Sequence, residues 1–246
     1  MQFQDKVVLV TGGSSGLGLA IAQELAGQGA TVVITGRRQE QLDEALSKLG
    51  ERASAVVADV SVIADLAVLF DAIKTRHGRI DVLVANAGMG EIAPLGSITE
   101  AYFDRVFNTN VKGVTFTVQG ALPLMGKGSS IIIIGSTASI DPGPGLSVYG
   151  ATKAALRTLV RSWTLDIKGS GVRINLLSPG PVDTPSLRHM LAEHAEAVIE
   201  SLSEKSTIGR IGQAHEIGAA VAFLASDAAS YINGVELFAD GGASQS

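Results

Sequence analysis

Val7-Val8-Leu9-Val10-Thr11 runs without polar alternation into Gly12-Gly13-Ser14-Ser15-Gly16-Leu17-Gly18, and helical patterning follows from Leu19 to Gln28. An unalternating run suits a strand covered on both faces, the setting of a parallel sheet. Strand, glycine turn and helix together point to phosphate binding. Bare backbone can approach a pyrophosphate, and the first amides of the helix have no carbonyl of their own to bond. The spacing is G-x-x-x-G-x-G rather than G-x-G-x-x-G. Gly12-x-Ser14-x-Gly16 also fits the G-x-S-x-G nucleophile elbow, which uses the same strand-turn-helix context. A Ser14 hydrolase would need an oxyanion-hole loop from an earlier strand, and only six residues precede Val7. The phosphate reading takes precedence.

The pattern repeats along the chain. Thr31 to Thr35 reads as a strand ending at Gly36-Arg37-Arg38, followed by a helix from Gln39 to Leu49. Ala55 to Ala58 ends at Asp59-Val60 before a helix from Ile63 to His77, and Asp81 to Ala85 ends at Asn86-Ala87-Gly88. Ile98 to about Met125 is helical with Asn108 and Asn110 inside it. Asparagine is a poor helix-interior residue, so the pair predicts a distortion or a polar task at depth. Ser129 to Ile134 leads to Gly135-Ser136-Thr137-Ala138-Ser139, and Val172 to Leu177 leads to Ser178-Pro179-Gly180-Pro181-Val182-Asp183-Thr184. Residues 185–207 are polar and helix-prone, as a lid would be. A helix from Gln213 to Ala225 and a strand from Gly234 to Phe238 close the series. Regular alternation without a linker predicts one α/β domain over residues 1–246, a doubly wound Rossmann-type sandwich of about seven parallel strands. Polar residues gather at the carboxyl ends of these strands, where such sheets bind ligands.

In dinucleotide-binding folds an acid about twenty residues past the glycines binds a ribose 2′-hydroxyl, whereas arginine accommodates a 2′-phosphate. No acid lies between Gly29 and Gln39, and Arg37 and Arg38 sit at the strand end, which favours NADP(H) over NAD(H). Simple solvation is the alternative for one of the two arginines. Capping of the next helix is the alternative for Asp59.

A long helix is expected from about Val148 to Ile167, uninterrupted by proline and with Gly150 its lone glycine. Tyr149 and Lys153, four apart, fall one turn apart on one face, which Leu156 and Val160 continue. An ammonium ~4 Å from a phenol at an effective dielectric of ~20 favours phenolate by about 4 kcal/mol, or ~3 pKa units below a free value near ~10. Tyr149 would then exchange a proton near neutral pH. Ala151, Ala155, Thr158 and Ser162 lie roughly opposite and carry no charge, which predicts burial.

Composition excludes other classes. Of 246 residues 46% are hydrophobic, enough for a sizeable core. A net charge of −5 with scattered Lys and Arg argues against nucleic acid. The absence of cysteine excludes disulfides, thiolate nucleophiles and thiolate-bound metals. Among His77, His189, His194 and His215 none pairs at i,i+4 with an acid in reach, so solvated or capping histidines are expected rather than a metal site. Met1 to Lys6 lacks signal-peptide character and no apolar run approaches ~18 residues, so a cytoplasmic protein without membrane partners is expected.

Thr11-Gly12-x-x-x-Gly16-x-Gly18, Asp59, Asn86-Ala87-Gly88, Asn110, Ser136, Tyr149-x-x-x-Lys153 and Pro179-Gly180 occur in that order. Together they resemble the short, single-domain branch of the short-chain dehydrogenase/reductase family over essentially the whole chain. The resemblance implies that Tyr149 gives a proton to a carbonyl oxygen or takes one from an alcohol. Ser136, thirteen residues earlier, is implied to hydrogen-bond that oxygen; Ser139 is off that spacing. Lys153 is implied to lower the Tyr149 pKa and bind the nicotinamide ribose, and Asn110 to hold a water linking Lys153 to solvent. With Tyr149 and Lys153, the dinucleotide would meet Gly12, Ser14, Ser15, Gly16, Leu17 and Gly18. It would also meet Arg37, Arg38, Asp59, Val60, Asn86, Ala87, Gly88, Pro179, Gly180, Val182 and Thr184. The chain departs from the family pattern at Ala85, the first position of N-N-A-G, and at Ser15, where many NADP-dependent members carry a basic residue.

The family's fatty-acid-synthesis branch shows basic residues before the fifth strand, where this chain has Lys127 alone between Met125 and Ser130. A free small or medium ketone or alcohol is therefore the expected substrate, with Gly90, Glu91, Ile140, Leu146, Pro181, Leu187 and Met190 as pocket walls. A homotetramer through the Ala151–Ser162 face is implied as well, with intramolecular packing as the alternative. The resulting expectation is an NADP(H)-dependent carbonyl reductase or alcohol dehydrogenase. A 3-oxoacyl-[acyl-carrier-protein] reductase and an NAD-dependent dehydrogenase are its rivals within the family. A non-catalytic dinucleotide sensor is the rival outside it, and would be expected to lack Ser136, Tyr149 or Lys153.

Overall fold

A computed structural model describes residues 2–191 and 195–244. Its strands are β1 (Val7–Thr11), β2 (Thr31–Gly36), β3 (Ala53–Val57), β4 (Val82–Ala85), β5 (Ser130–Ile134), β6 (Arg173–Pro179), β7 (Val182–Asp183), β8 (Gly212–Gln213) and β9 (Glu236–Ala239). Seven of them form one parallel sheet in the order β3-β2-β1-β4-β5-β6-β9, and β7 pairs with β8 beside it. The chain is a doubly wound Rossmann-type α/β fold.

Side chains alternate across each strand, so one strand feeds two cores. Val8, Val10, Ile132 and Ile134 pack on one face with Ile21 and Leu25 of α1 (Gly16–Gly27), Leu42 of α2 (Gln39–Leu49) and Val221 of α9 (Ala214–Ala225). Leu9, Ile131 and Ile133 pack on the other with Leu69 of α3 (Ile63–His77), Val118 of α5 (Val114–Ala121), and Leu156 and Val160 of α6 (Ser147–Asp166). Both faces of β1 and β5 are covered, which is why their sequences do not alternate.

The single helix expected from Ile98 to Met125 is corrected. Thr99 caps α4 (Glu100–Phe107) by accepting from the Tyr102 amide at 3.2 Å, a π-helical turn follows over Asn108–Gly113, then α5 and a 3-10 turn at Leu122–Leu124. The widened turn carries Asn110 into the interior, fully buried. Residues 185–207 include α7 (Pro185–Leu191) and α8 (Ala195–Lys205), neither with a fully buried described residue. Arg188 of α7 grips Asp183 at 2.7 and 2.8 Å and Glu196 at 3.0 Å, fastening both helices to β7. The burial expected for the small-residue face of α6 is not supplied from within the single chain among the described residues. Ala151, Thr158 and Ser162 are exposed, and Ala155 is partly so; intramolecular packing, the alternative to a subunit contact, does not cover that side among the described residues.

Candidate active site

The strand order reverses between β1 and β4, and the turns that follow them meet there. The Asn86 amide donates to Thr11 Oγ1 at 3.1 Å, and its Nδ2 donates to the carbonyls of Thr11 at 2.9 Å and Gly12 at 3.2 Å. A side chain on Gly18 would fall 2.1 Å from the Gly12 carbonyl oxygen and 2.5 Å from Asn86 Nδ2, so the tight turn requires its absence. Asn86 thus braces the glycine loop from below.

Ser15 is the N-cap residue of α1 without a side-chain cap bond, and the first turn of α1 holds no acid. The leading amides are left to an anion. Thr184 stands over this loop, its Cβ 4.0 Å from where a Cβ on Gly16 would lie. Ser14 Oγ lies beside Gly36 at the end of β2, next to Arg37 and Arg38. Among the described residues neither guanidinium has a protein partner, and both arginines are exposed. Asp59 does not cap α3. Its Oδ1 accepts from the Ser61 amide at 2.9 Å and the Ser61 hydroxyl at 2.7 Å, while Val62 occupies the cap position. Val60 is buried against the π-turn at Gly113. Pro179 pairs with Ala239, and the Gly180 amide donates to the Ala239 carbonyl at 3.1 Å. These uncapped amides, close-packed glycines and free guanidiniums fit a dinucleotide.

The catalytic candidates converge from β5, the π-turn and α6. Ser136 follows β5 and opens the 3-10 turn Thr137–Ser139, its Oγ accepting from the Ala138 amide at 3.1 Å. Tyr149 and Lys153 lie on α6, with Lys153 Nζ 5.6 Å from the Tyr149 ring centroid. Lys153 is 5% exposed, and its Nζ donates to the Ile134 carbonyl at 2.9 Å. A Cβ on Gly88 would lie 3.5 Å from Nζ and 3.4 Å from Asn110 Oδ1, so the bare glycine leaves that corner open.

The pKa expectation for Tyr149 is corrected. Burial pushes the phenol above its ordinary value, and the Ser136 hydroxyl works against that rise. Burial also pulls Lys153 down to about 8. The ammonium turns toward the Ile134 carbonyl and is itself desolvated, so desolvation of the phenol prevails over the attraction reckoned from spacing alone.

Several contributors were not singled out in the sequence. Thr152, fully buried between Tyr149 and Lys153, donates to the Tyr149 carbonyl at 2.7 Å and accepts from Asn110 Nδ2 at 3.0 Å. Its signal was a hydroxyl inside a helix, which habitually bonds back to the preceding turn. Asn110, whose polar task at depth the sequence announces, clamps the Met89 backbone, accepting at 2.9 Å and donating at 2.8 Å, a partner that local sequence does not identify. Of the expected pocket walls, Gly90 touches the tyrosine: a Cβ there would come 2.6 Å from Tyr149 Cδ2. Glu91 and Ile140 are exposed, and Leu146, Pro181, Leu187 and Met190 partly so. Ser139 is directed to Glu236 Oε1 at 3.4 Å. No side-chain hydrogen bond reaches Ser14 among the described residues. His194 lies outside them, and among them no group of His, Asp and Glu is arranged to hold a metal.

A family model described as enoyl-(acyl carrier protein) reductase matches residues 12–244. The oxidoreductase asL5 of Sarocladium schorii is 44% identical over 98% of this chain and 96% of its own. A short-chain dehydrogenase/reductase of Brucella melitensis, titled glucose/ribitol dehydrogenase, superposes with a TM-score of 0.93 at 30% identity over 98% of each chain. A short chain dehydrogenase of Burkholderia cenocepacia, solved in complex with NADP, does so at 0.91 and 34% identity over 99% of each chain.

Proposed function

Because the chain belongs to the short-chain dehydrogenase/reductase family of nicotinamide-dependent oxidoreductases, we propose that it interconverts a ketone or aldehyde with the corresponding alcohol, using NADP(H). The convergence of Ser136, Tyr149 and Lys153 beside the bare corner at Gly88 carries the reading. The bound nicotinamide supplies or accepts the hydride. Tyr149, held protonated at neutral pH, gives its proton to the carbonyl oxygen, and Ser136 donates a hydrogen bond to the same oxygen. Lys153, fixed through Ile134, presents its ammonium to the nicotinamide ribose. Both Asn110 amide hydrogens are engaged, so a relay water at Asn110 would bond to the second lone pair of Oδ1 or to the main-chain carbonyl.

Arg37 and Arg38 would pair with the 2′-phosphate, and Gly12 to Gly18, Asp59, Val60, Asn86 to Gly88, Pro179 to Val182 and Thr184 would line the rest of the dinucleotide. NADP in the Burkholderia neighbour favours the same choice. Residues 1–246 would act as one cytoplasmic dinucleotide-binding and catalytic domain, assembled as a homotetramer. An acyl thioester substrate is the second reading, favoured by the description of the matching family model.

Loss of reduced-nicotinamide absorbance tests both, with NADPH and NADH in parallel against acetophenone, cyclohexanone, benzaldehyde and 3-oxoacyl and 2-enoyl thioesters. We expect ketone-dependent NADPH oxidation that Tyr149→Phe abolishes. The Arg37→Gln/Arg38→Gln variant should lose about ten-fold or more in affinity for NADPH and little for NADH. Preference for NADH in the wild type would overturn the cofactor assignment, and thioester-only turnover the substrate class.

A further inference from the structure

Glu236 opens β9, an acid among Val235, Leu237 and Phe238, with its side chain 13% exposed. Its Oε2 accepts from Arg157 Nε at 2.5 Å. Its Oε1 accepts from Ser178 Oγ at 2.8 Å and, more loosely, from Ser139 Oγ at 3.4 Å. These partners belong to three sides of the catalytic centre. Arg157 lies on α6 one turn beyond Lys153 and two beyond Tyr149. Ser178, fully buried on β6, sits under the residue before Ser136: a Cβ on Gly135 would fall 2.4 Å from its Oγ. Ser139 ends the 3-10 turn that Ser136 opens. One carboxylate therefore ties the helix of the proton donor to both flanks of the serine.

Stability alone is a poor reason to keep such a pair: the Arg157 side chain is 32% exposed, where an ion pair contributes little, and even fully buried pairs are commonly replaced by well-packed apolar residues at no loss. We propose that Glu236 and Arg157 are positioning residues that hold Ser136 in register with Tyr149 and Lys153. The proposal rests on the reading of those three as the catalytic group. Small displacements matter there, because misplacement by about 1 Å can cost ~10²-fold in rate.

The test uses Glu236→Gln, Arg157→Met and the double variant, with Tyr149→Phe alongside. We expect kcat for the panel carbonyl compound to fall about ten-fold or more, with KM and NADPH affinity, read from fluorescence of the bound cofactor, unchanged. The double variant should be no slower than the worse single variant, as for groups acting as one unit. Amide exchange over residues 136–141, measured on the protein alone, should quicken about ten-fold in Glu236→Gln. Wild-type kcat in Glu236→Gln, or parallel losses in kcat and NADPH affinity, would overturn the proposal, as would unchanged exchange where no panel compound is turned over. Turnover surviving in Tyr149→Phe would instead sink the catalytic reading itself.

Discussion

Lys153 is a charged group held at 5% exposure with one carbonyl partner, and burial draws its pKa from an ordinary 10.5 to about 8. Holding it charged at neutral pH costs about 3 kcal/mol of folding stability. Between about 8 and the ordinary value, the unfolded chain keeps a proton on Lys153 that the folded chain releases. Stability contributed at this site is therefore lowest below pH 8 and rises with pH through that window. Lys153→Met should be inactive, more stable than the wild type at pH 7 without cofactor, and lose that advantage toward pH 10. Thermal unfolding of both proteins across this range checks the prediction; an advantage that grows with pH would refute it. The Tyr149–Lys153 pairing was legible because helix geometry follows from a spacing of four. The direction of the Tyr149 shift was not, because it depends on how much of the fold is packed over the phenol.

At the level of elements, α6 is joined to the turn after β4 through the π-turn. Asn110 grips the Met89 backbone and Thr152, and Thr152 grips the carbonyl of Tyr149. Asn108 and Asn110 announced the distortion, since neither suits a helix interior. The break into α4, a π-turn and α5 was not legible, because its partner Met89 lies 21 residues away. Thr152→Val keeps the shape and removes both bonds, stranding an Asn110 amide hydrogen in the interior. We expect a loss of about 1–3 kcal/mol, seen as a lower denaturant midpoint at unchanged slope, together with a reduced kcat. A wild-type midpoint and kcat would show that this chain of bonds does nothing for either.

For the molecule as a whole, β-α alternation and apolar strands foretold the sheet, because burial on both faces is written locally in each strand. The outer side of α6 was legible only in part: an uncharged stripe says that water is not preferred there, not what covers it. Ala151, Thr158 and Ser162 are exposed in the single chain, and Leu165, a turn further on, is 73% exposed. A long helix ending in an exposed leucine, with small side chains that permit close approach, suits packing against its own symmetry mate. Thr158→Arg puts a charge in the middle of that stripe, and because the position is exposed the folded chain can carry it. Sedimentation velocity should find the wild type as a tetramer and Thr158→Arg as a smaller species of unchanged far-ultraviolet circular dichroism. A variant still tetrameric would move the interface elsewhere, and a monomeric wild type would remove the tetramer altogether.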